Sequence, residues 1–210
     1  MVNKSNIILV CGGSCSGKTT LASGIGHALL DFGTVELISM DDYYKDVSRL
    51  DEATLHDYNF DCPEAIDFAL CLNQLKKLIS GQPAPRQSYD FSSHAVTRLP
   101  TQLKPATFII VEGIFALYFE ELRKLAAASL FIHADADIRL AKRVLRDSHK
   151  RGATLGYIIK QYLNDVRPMH NQYIEPYSKY ADIVLDSGVN SIDKNLHMAL
   201  DFLNSKLLHC

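Results

Sequence analysis

The sequence has no tryptophan, no excess charge of one sign and no long apolar run. Its 22 Lys and Arg against 24 Asp and Glu give a formal net charge of -2. That balance supplies no blanket positive field, so nucleic acid is excluded as a partner for the surface as a whole and any basic chemistry must be local. Nowhere do 18 uncharged apolar residues run together, and the opening Met-Val-Asn-Lys-Ser-Asn leads straight into a short apolar strand without a signal-like region. The expectation is a soluble, cytoplasmic protein with no membrane partner. Cys11, Cys15, Cys62, Cys71 and Cys210 form an odd set with no CxxC pair and no nearby His at zinc-finger spacing. They read as free thiols in a reducing compartment and carry no metal site. Internal repeats, low-complexity tracts and linkers are also missing, and 210 residues, 47% of them hydrophobic, suit one domain with a single two-faced core.

What is present is an alternation. Ile7 to Val10, Val35 to Ser39, Phe108 to Val111, Leu130 to His133 and Ile183 to Leu185 read as buried parallel strands. Lys18 to Leu30, Pro63 to Ile79, Ala136 to Arg146, Thr154 to Val166 and Ile192 to Leu207 carry apolar residues at three- and four-residue spacing, as amphipathic helices do. The pattern predicts an α/β fold with a doubly wound parallel sheet. Two stretches break it. Gly81 to Pro105 holds four prolines with Tyr89, Phe91 and Val96 between them, which predicts an irregular hairpin or loop insert. Asp147 to Ala153 is a polar, basic turn between two helices, readable as a mobile lid reaching about residue 154 or as an ordinary connection.

Directly after the first strand, Gly12, Gly13, Ser14, Cys15, Ser16, Gly17, Lys18 and Thr19 fit GxxxxGK(S/T) at every fixed position. In such a loop, successive backbone N–H groups turn inward on phosphates, the following helix adds its positive end, and the lysine reaches the terminal phosphates. Thr19 offers a hydroxyl to magnesium. The strand ending at Val111 is followed by Glu112, which reads either as a second magnesium-holding acid or as a cap of the next helix. The chain therefore reads as a P-loop nucleoside triphosphate hydrolase fold, a single domain over residues 1–210.

A hydrolase, a switch protein and a kinase can all begin this way, so the acceptor side decides. Asp41 and Asp42 end the second strand beside Tyr43 and Tyr44, where a carboxylate can take the proton of an acceptor hydroxyl or fix its orientation. Their alternative is two solvated loop acids. Arg139, Lys142, Arg143 and Arg146 lie at offsets of three, four and seven on one helix, followed by Lys150 and Arg151. The stripe is either a solvated face or a set of cations converging on transferring phosphates, where arginines contribute about 10³-fold or more in rate.

The runs Gly12 to Thr20, SMDDYYKD (39–46), YNFDCPEAID (58–67), SYDFSSH (88–94), VEGIFALY (111–118), RVLRDSHKRG (143–152), QYLNDVRP (161–168) and KYADIV (179–184) together resemble the phosphoribulokinase and uridine kinase family, and within it the uridine-cytidine kinases. The resemblance spans nearly the whole chain. It implies phosphate transfer from ATP or GTP, with Mg²⁺, to the 5′-hydroxyl of uridine or cytidine in pyrimidine salvage. It implies Asp41 as general base, Asp61 and Arg143 on the ribose hydroxyls, Tyr89 and His94 on the base edge, and Phe91 stacked nearby. Arg146 and Arg151 match cations near the triphosphate, Gln161 a further substrate contact, Thr20 the end of the phosphate loop, and Asn190 a residue near the donor adenine. A homotetramer and feedback by UTP or CTP are implied as well.

Two positions depart from that pattern. Ala153 stands where the family usually has arginine, and Cys62 where histidine usually follows the ribose-binding aspartate. Two rivals stay open: a related kinase acting on ribulose 5-phosphate or pantothenate, and a regulatory protein that binds nucleotides without transferring phosphate. The insert offers only Arg86, Arg98 and Lys104 to an anionic acceptor, and its Tyr-Asp-Phe-Ser-Ser-His run suits a neutral base better.

Overall fold

The computed structural model describes residues 5–56 and 58–208; Cys210 lies outside them. The strand β1 (Asn6–Gly12) runs into the phosphate loop and then the helix α1 (Lys18–Leu29), followed by β2 (Val35–Ser39) and a 3₁₀ turn at Met40–Tyr43. A short α2 (Glu52–His56), a 3₁₀ turn at Pro63–Ala65 and α3 (Phe68–Ile79) lead to the hairpin β3 (Ala84–Asp90) and β4 (Ala95–Leu103). Then come β5 (Phe108–Glu112), α4 (Glu120–Leu125), β6 (Ala128–His133), α5 (Ala136–Lys150), α6 (Leu155–Gln161), α7 (Arg167–Tyr173), β7 (Ile183–Asp186) and α8 (Ile192–Leu203).

The five strands expected from the apolar runs form one sheet in the order β2-β5-β1-β6-β7, and each neighbouring pair is parallel. Because successive side chains of a strand point to opposite faces, the sheet has two cores. Ile8 and Val10 join Leu21, Ile25, Phe108, Ile110 and Leu203 under α1 and α8. Ile7, Leu9 and Cys11 join Leu75, Leu78, Ile109, Val111 and Phe131 on the side of α3 and the hairpin. This is the doubly wound arrangement, with every strand's carboxyl end on one edge.

Several boundaries differ from expectation, and the helix expected from Pro63 begins at Phe68, after the separate 3₁₀ turn at Pro63–Ala65. The insert at 81–105 is a regular antiparallel hairpin with one bulge between Pro85 and Gln87, where the prolines interrupt pairing. It is anchored to the strand edge: Glu36 pairs with Arg86 and accepts from Lys104 N–H at 2.7 Å, and Gln87 Nε2 donates to the Asp42 carbonyl at 2.7 Å. The helix α5 continues to Lys150, four residues past its predicted end, so the connection to α6 is only 151–154. Its extension follows from Asp147, which sits one helical turn from both Arg143 and Arg151 and pairs with each. Gly152, at φ +64°, then turns the chain out of the helix. The next helix runs past Val166 through a π-helical stretch at Tyr162–Val166 into α7, which accepts Pro168 in its first turn. No helix among the described residues is long and apolar enough to cross a membrane, and Cys11, Cys15, Cys62 and Cys71 are all free.

Gly113 marks where β5 must pass the 3₁₀ turn after β2. A Cβ there would lie 2.6 Å from Met40 Cβ, so Gly113→Ala should cost about 1–3 kcal/mol in urea unfolding. Gly156→Ala, with nothing within 4 Å, should cost nothing measurable; equal losses would contradict the packing described.

Candidate functional site

The phosphate loop is shaped by positions that admit no side chain. At Gly12 a Cβ would meet the Ile132 carbonyl oxygen at 2.6 Å and Ser16 Oγ at 2.7 Å, and Gly17 adopts φ +98°. Cys15 holds a left-handed φ of 64° without being glycine. Ser16 N–H donates to the Gly13 carbonyl at 3.0 Å, closing the loop, and Ser187 Oγ donates to the Ser16 carbonyl at 2.7 Å, tying it to the segment after β7. Two features await an anion. No side chain caps the start of α1, so its first amides stay free at the positive end of the helix. Ser16 Oγ is fully buried with no partner among the described residues.

Glu112, 1% exposed, is held from both sides: Ser39 Oγ donates to Oε1 at 2.7 Å and Thr19 Oγ1 to Oε2 at 3.2 Å. Burial raises its pKa, against the nearby Lys18 charge. A buried carboxylate, a threonine hydroxyl and a phosphate-facing loop are the hard oxygen donors that suit magnesium, so the residues present fit that ion. Glu112 caps no helix here: the next one, α4, starts eight residues later.

Beside the loop opens a cavity of about 210 Å³. Ser14, Lys18 and Asp41 line one end, Asp61, Arg143, Arg146, Arg151 and Gln161 the walls, and Phe91 and His94 the hairpin side. Of the two acids after β2, Asp41 faces this space. Asp42 turns the other way, accepts from Tyr89 N–H at 3.4 Å, and has its pKa raised by burial. Asp61 is 7% exposed, and burial raises its pKa although Arg143 opposes the shift. Arg143 donates to Ser14 Oγ at 3.1 Å and to Gln161 Oε1 at 2.8 Å, so it links the phosphate loop to α6.

The aromatic end is built as a layer. His94 stacks on Phe60 at 4.7 Å between ring centres, and Tyr44 packs against Phe60, Tyr89 and Phe91. Tyr89 does not line the cavity. Its hydroxyl lies 3.0 Å from His94 Nδ1 and so orients the imidazole that does. Burial, with the Arg151 charge, depresses the His94 pKa, which keeps the ring neutral at pH 7 and able both to donate and to accept. The Arg151 guanidinium lies over the Phe91 ring at 4.2 Å, joining the short connection after α5 to the hairpin.

The basic stripe of α5 is thus largely an inward face: Arg139 and Arg143 are buried and Arg146 half-buried, while Lys142 is exposed. Arg139 donates Nε to the Ala134 carbonyl at 3.0 Å and packs behind Gly13. Asn190 bonds Asn195 Oδ1 at 3.1 Å on the segment after β7, and Thr20 is exposed on α1; neither lines the cavity. Ala153 and Tyr157 do, whereas Cys62 points its thiol at the Asn59 carbonyl, 3.1 Å away. Sequence reasoning placed Tyr44 beside the loop acids without giving it a role, and missed Ser39, Phe60 and Asp147. Asp147 was legible in principle, as an acid four residues from both Arg143 and Arg151.

A parallel sheet whose central strand feeds a glycine loop and a helix, with a buried acid on the adjacent strand, defines the P-loop nucleoside triphosphate hydrolase fold. The solved phosphoribulokinase from Rhodobacter spheroides shares it, with a TM-score of 0.66 at 14% identity over 88% of this chain and 70% of that one. The chain belongs to the Phosphoribulokinase / Uridine kinase family, whose model matches residues 7–192. It is 39% identical over 206 residues to a uridine kinase of Staphylococcus epidermidis, covering 98% of this chain and 97% of the relative. A uridine kinase of Macrococcus caseolyticus is 40% identical over 207 residues, covering 98% and 97%.

His170 packs behind Gly13 beside Arg139, 5% exposed, with Nε2 3.1 Å from Glu175 Oε2. Burial, with the Arg139 charge, lowers its pKa to about 4 from 6.5. The unfolded chain therefore takes up a proton between pH 6.5 and 4 that the folded chain refuses, and stability falls as pH drops through that window. Between pH 7.5 and 4.5 the parent protein should lose on the order of 2–3 kcal/mol more than His170→Gln in denaturant melts. Parallel curves would contradict this burial of a neutral imidazole.

Proposed function

We propose that this protein is a kinase that transfers the terminal phosphate of ATP or GTP to the 5′-hydroxyl of uridine and cytidine. One observation carries the reading: a single cavity brings the loop lysine Lys18 together with Asp41, with Asp61 and Arg143, and with His94 and Phe91. Those are the groups needed at the phosphate, the attacking hydroxyl, a vicinal diol and a planar base.

In this reading Gly12 to Thr19 and Lys18 hold the triphosphate. Thr19 and Glu112 hold magnesium, which when bound offsets charge on the phosphates. Asp41 accepts the proton of the 5′-hydroxyl as it attacks, or fixes its direction. Asp61 accepts from ribose hydroxyls while Arg143 donates to them, and the raised carboxyl pKa of Asp61 marks a buried acceptor in want of donors. His94, held by Tyr89, meets the pyrimidine edge, and Phe91 packs on the ring. A neutral imidazole can serve uracil O4 or the cytosine amino group, which supports both bases as acceptors. Arg146 and Arg151 stabilise the transferring phosphoryl group, and Asn190 stands near the donor base. The hairpin over residues 81–105 is the base-binding insert and the 147–154 segment the lid of a single domain. Family resemblance is what supports pyrimidine salvage in the cytoplasm, a homotetramer and control by UTP or CTP.

The second reading, a kinase of another small acceptor, draws on Ala153, which lines the cavity where the family's arginine would add a donor. Against it stands the aromatic layer at that end, which suits a neutral ring better than an anion.

Asp41 separates a kinase from a nucleotide-binding regulator. Asp41→Asn should lower turnover about 10²- to 10⁴-fold while a fluorescent triphosphate binds with unchanged affinity. Unchanged turnover would remove Asp41 as the base, and lost triphosphate affinity would assign it to the donor side instead.

A further inference from the structure

Asp147 is 3% exposed and borders the cavity, yet no step of the transfer above uses it. Three arginines converge on its carboxylate, and all three approach through Nε. Arg146 Nε lies 2.8 Å from Oδ1, Arg143 Nε 3.3 Å from Oδ2 and Arg151 Nε 3.6 Å from Oδ1. Only the Arg146 contact is aligned as a hydrogen bond, with its Nη2 adding a second at 3.3 Å. The other two are ion pairs held by charge, and Arg143 Nε has no aligned partner among the described residues.

The direction of approach matters. A guanidinium gripped at Nε leaves terminal nitrogens for other partners, both of them in Arg143 and Arg151 and Nη1 in Arg146, and the terminal nitrogens are the part that recognises phosphate oxygens bidentately. The Arg143 fork is engaged by Ser14 of the phosphate loop and by Gln161. The Arg151 fork has no hydrogen-bond partner among the described residues and lies over Phe91. Three guanidiniums share one carboxylate, so the cluster retains two positive charges beside Lys18. Without the carboxylate, three cations in one partly buried place would repel each other and splay. The same residue ends α5, since the amides of Arg151 and Ala153 both donate to its carbonyl at 3.1 Å.

We propose that Asp147 is the positioning residue of the transfer site: it gathers Arg143, Arg146 and Arg151 by their Nε atoms and so aims the open terminal nitrogens of Arg146 and Arg151 at the transferring phosphates while holding Arg143 between the phosphate loop and the acceptor ribose. The proposal rests on the kinase reading above. Its effect falls on the transition state, because misplacing positioned groups by about 1 Å can cost about 10²-fold in rate.

The test compares the full-length protein with Asp147→Asn, which keeps the shape and removes the charge. Arginine Nε–H resonances are recorded without substrate and assigned by their loss in Arg143→Lys, Arg146→Lys and Arg151→Lys. The Arg146 Nε–H, the one hydrogen-bonded to Asp147, should be protected from exchange in the parent protein and exchange at least about tenfold faster in Asp147→Asn, with the Arg143 and Arg151 Nε–H resonances shifted. Turnover should fall about 10²-fold, by more than the KM for uridine rises through the displaced Arg143. Unchanged protection, or turnover within twofold of the parent, would overturn the proposal, as would a loss confined to KM. If Asp147→Asn does not fold, Asp147→Glu replaces it: the charge is kept but displaced, so parental turnover and protection there would also overturn positioning. Failure of the parent protein to phosphorylate uridine would reject the kinase reading alone, and the resonances, which need no acceptor, would still decide the role of Asp147.

Discussion

Four cations and four carboxylates meet at the carboxyl edge of one parallel sheet, and each must be paired in the folded chain yet still able to meet a ligand. Lys18, Arg143, Arg146 and Arg151 face Asp41, Asp61, Glu112 and Asp147. Leaving a buried charge without a partner costs several kcal/mol, so the arrangement distributes partners closely. Glu112 rests on two hydroxyls, Asp147 on three guanidiniums, and Arg143 bridges Ser14 to Gln161. What remains unmatched is informative. Ser16 Oγ has no partner among the described residues, and the pKa values of Glu112 and Asp61 are raised by burial. In the proposed reading these are the places where a phosphate, a metal ion and a diol would complete the balance.

The sheet makes this crowding possible. With β1 central and every strand parallel, Gly12, Ser39, Glu112 and Asp186 arrive together at one edge. The hairpin of β3 and β4 is then hung from the β2 side by Glu36 and Asp42, which lets its aromatic residues close the cavity opposite the helix that supplies the arginines. Arg151 over Phe91 is where those two halves touch.

Much of this was legible in the chain. The five apolar runs gave the strands because buried parallel strands are continuously hydrophobic, and the glycine loop was unambiguous because its backbone geometry admits few substitutes. Boundaries governed by side-chain pairing were not legible: α5 outlasts its apolar period because Asp147 holds arginines on both sides, and the hairpin is regular despite four prolines because Glu36 pins its base. At the site, Asp41 and Asp42 were equivalent by spacing, and only the family resemblance singled out Asp41; in the structure Asp41 lines the cavity and Asp42 packs against the hairpin. Tyr89 reads as a base contact by resemblance but stands behind His94, a distinction that depends on tertiary packing which spacing does not record.

The most direct measurement follows labelled terminal phosphate from ATP, with magnesium, to uridine, cytidine, adenosine and pantothenate under identical conditions. The account predicts label in uridine and cytidine alone, with Ala153 tolerated in the pocket wall. Label in pantothenate or adenosine with none in either pyrimidine nucleoside would contradict it and place the acceptor specificity in the corner that Ala153 leaves open.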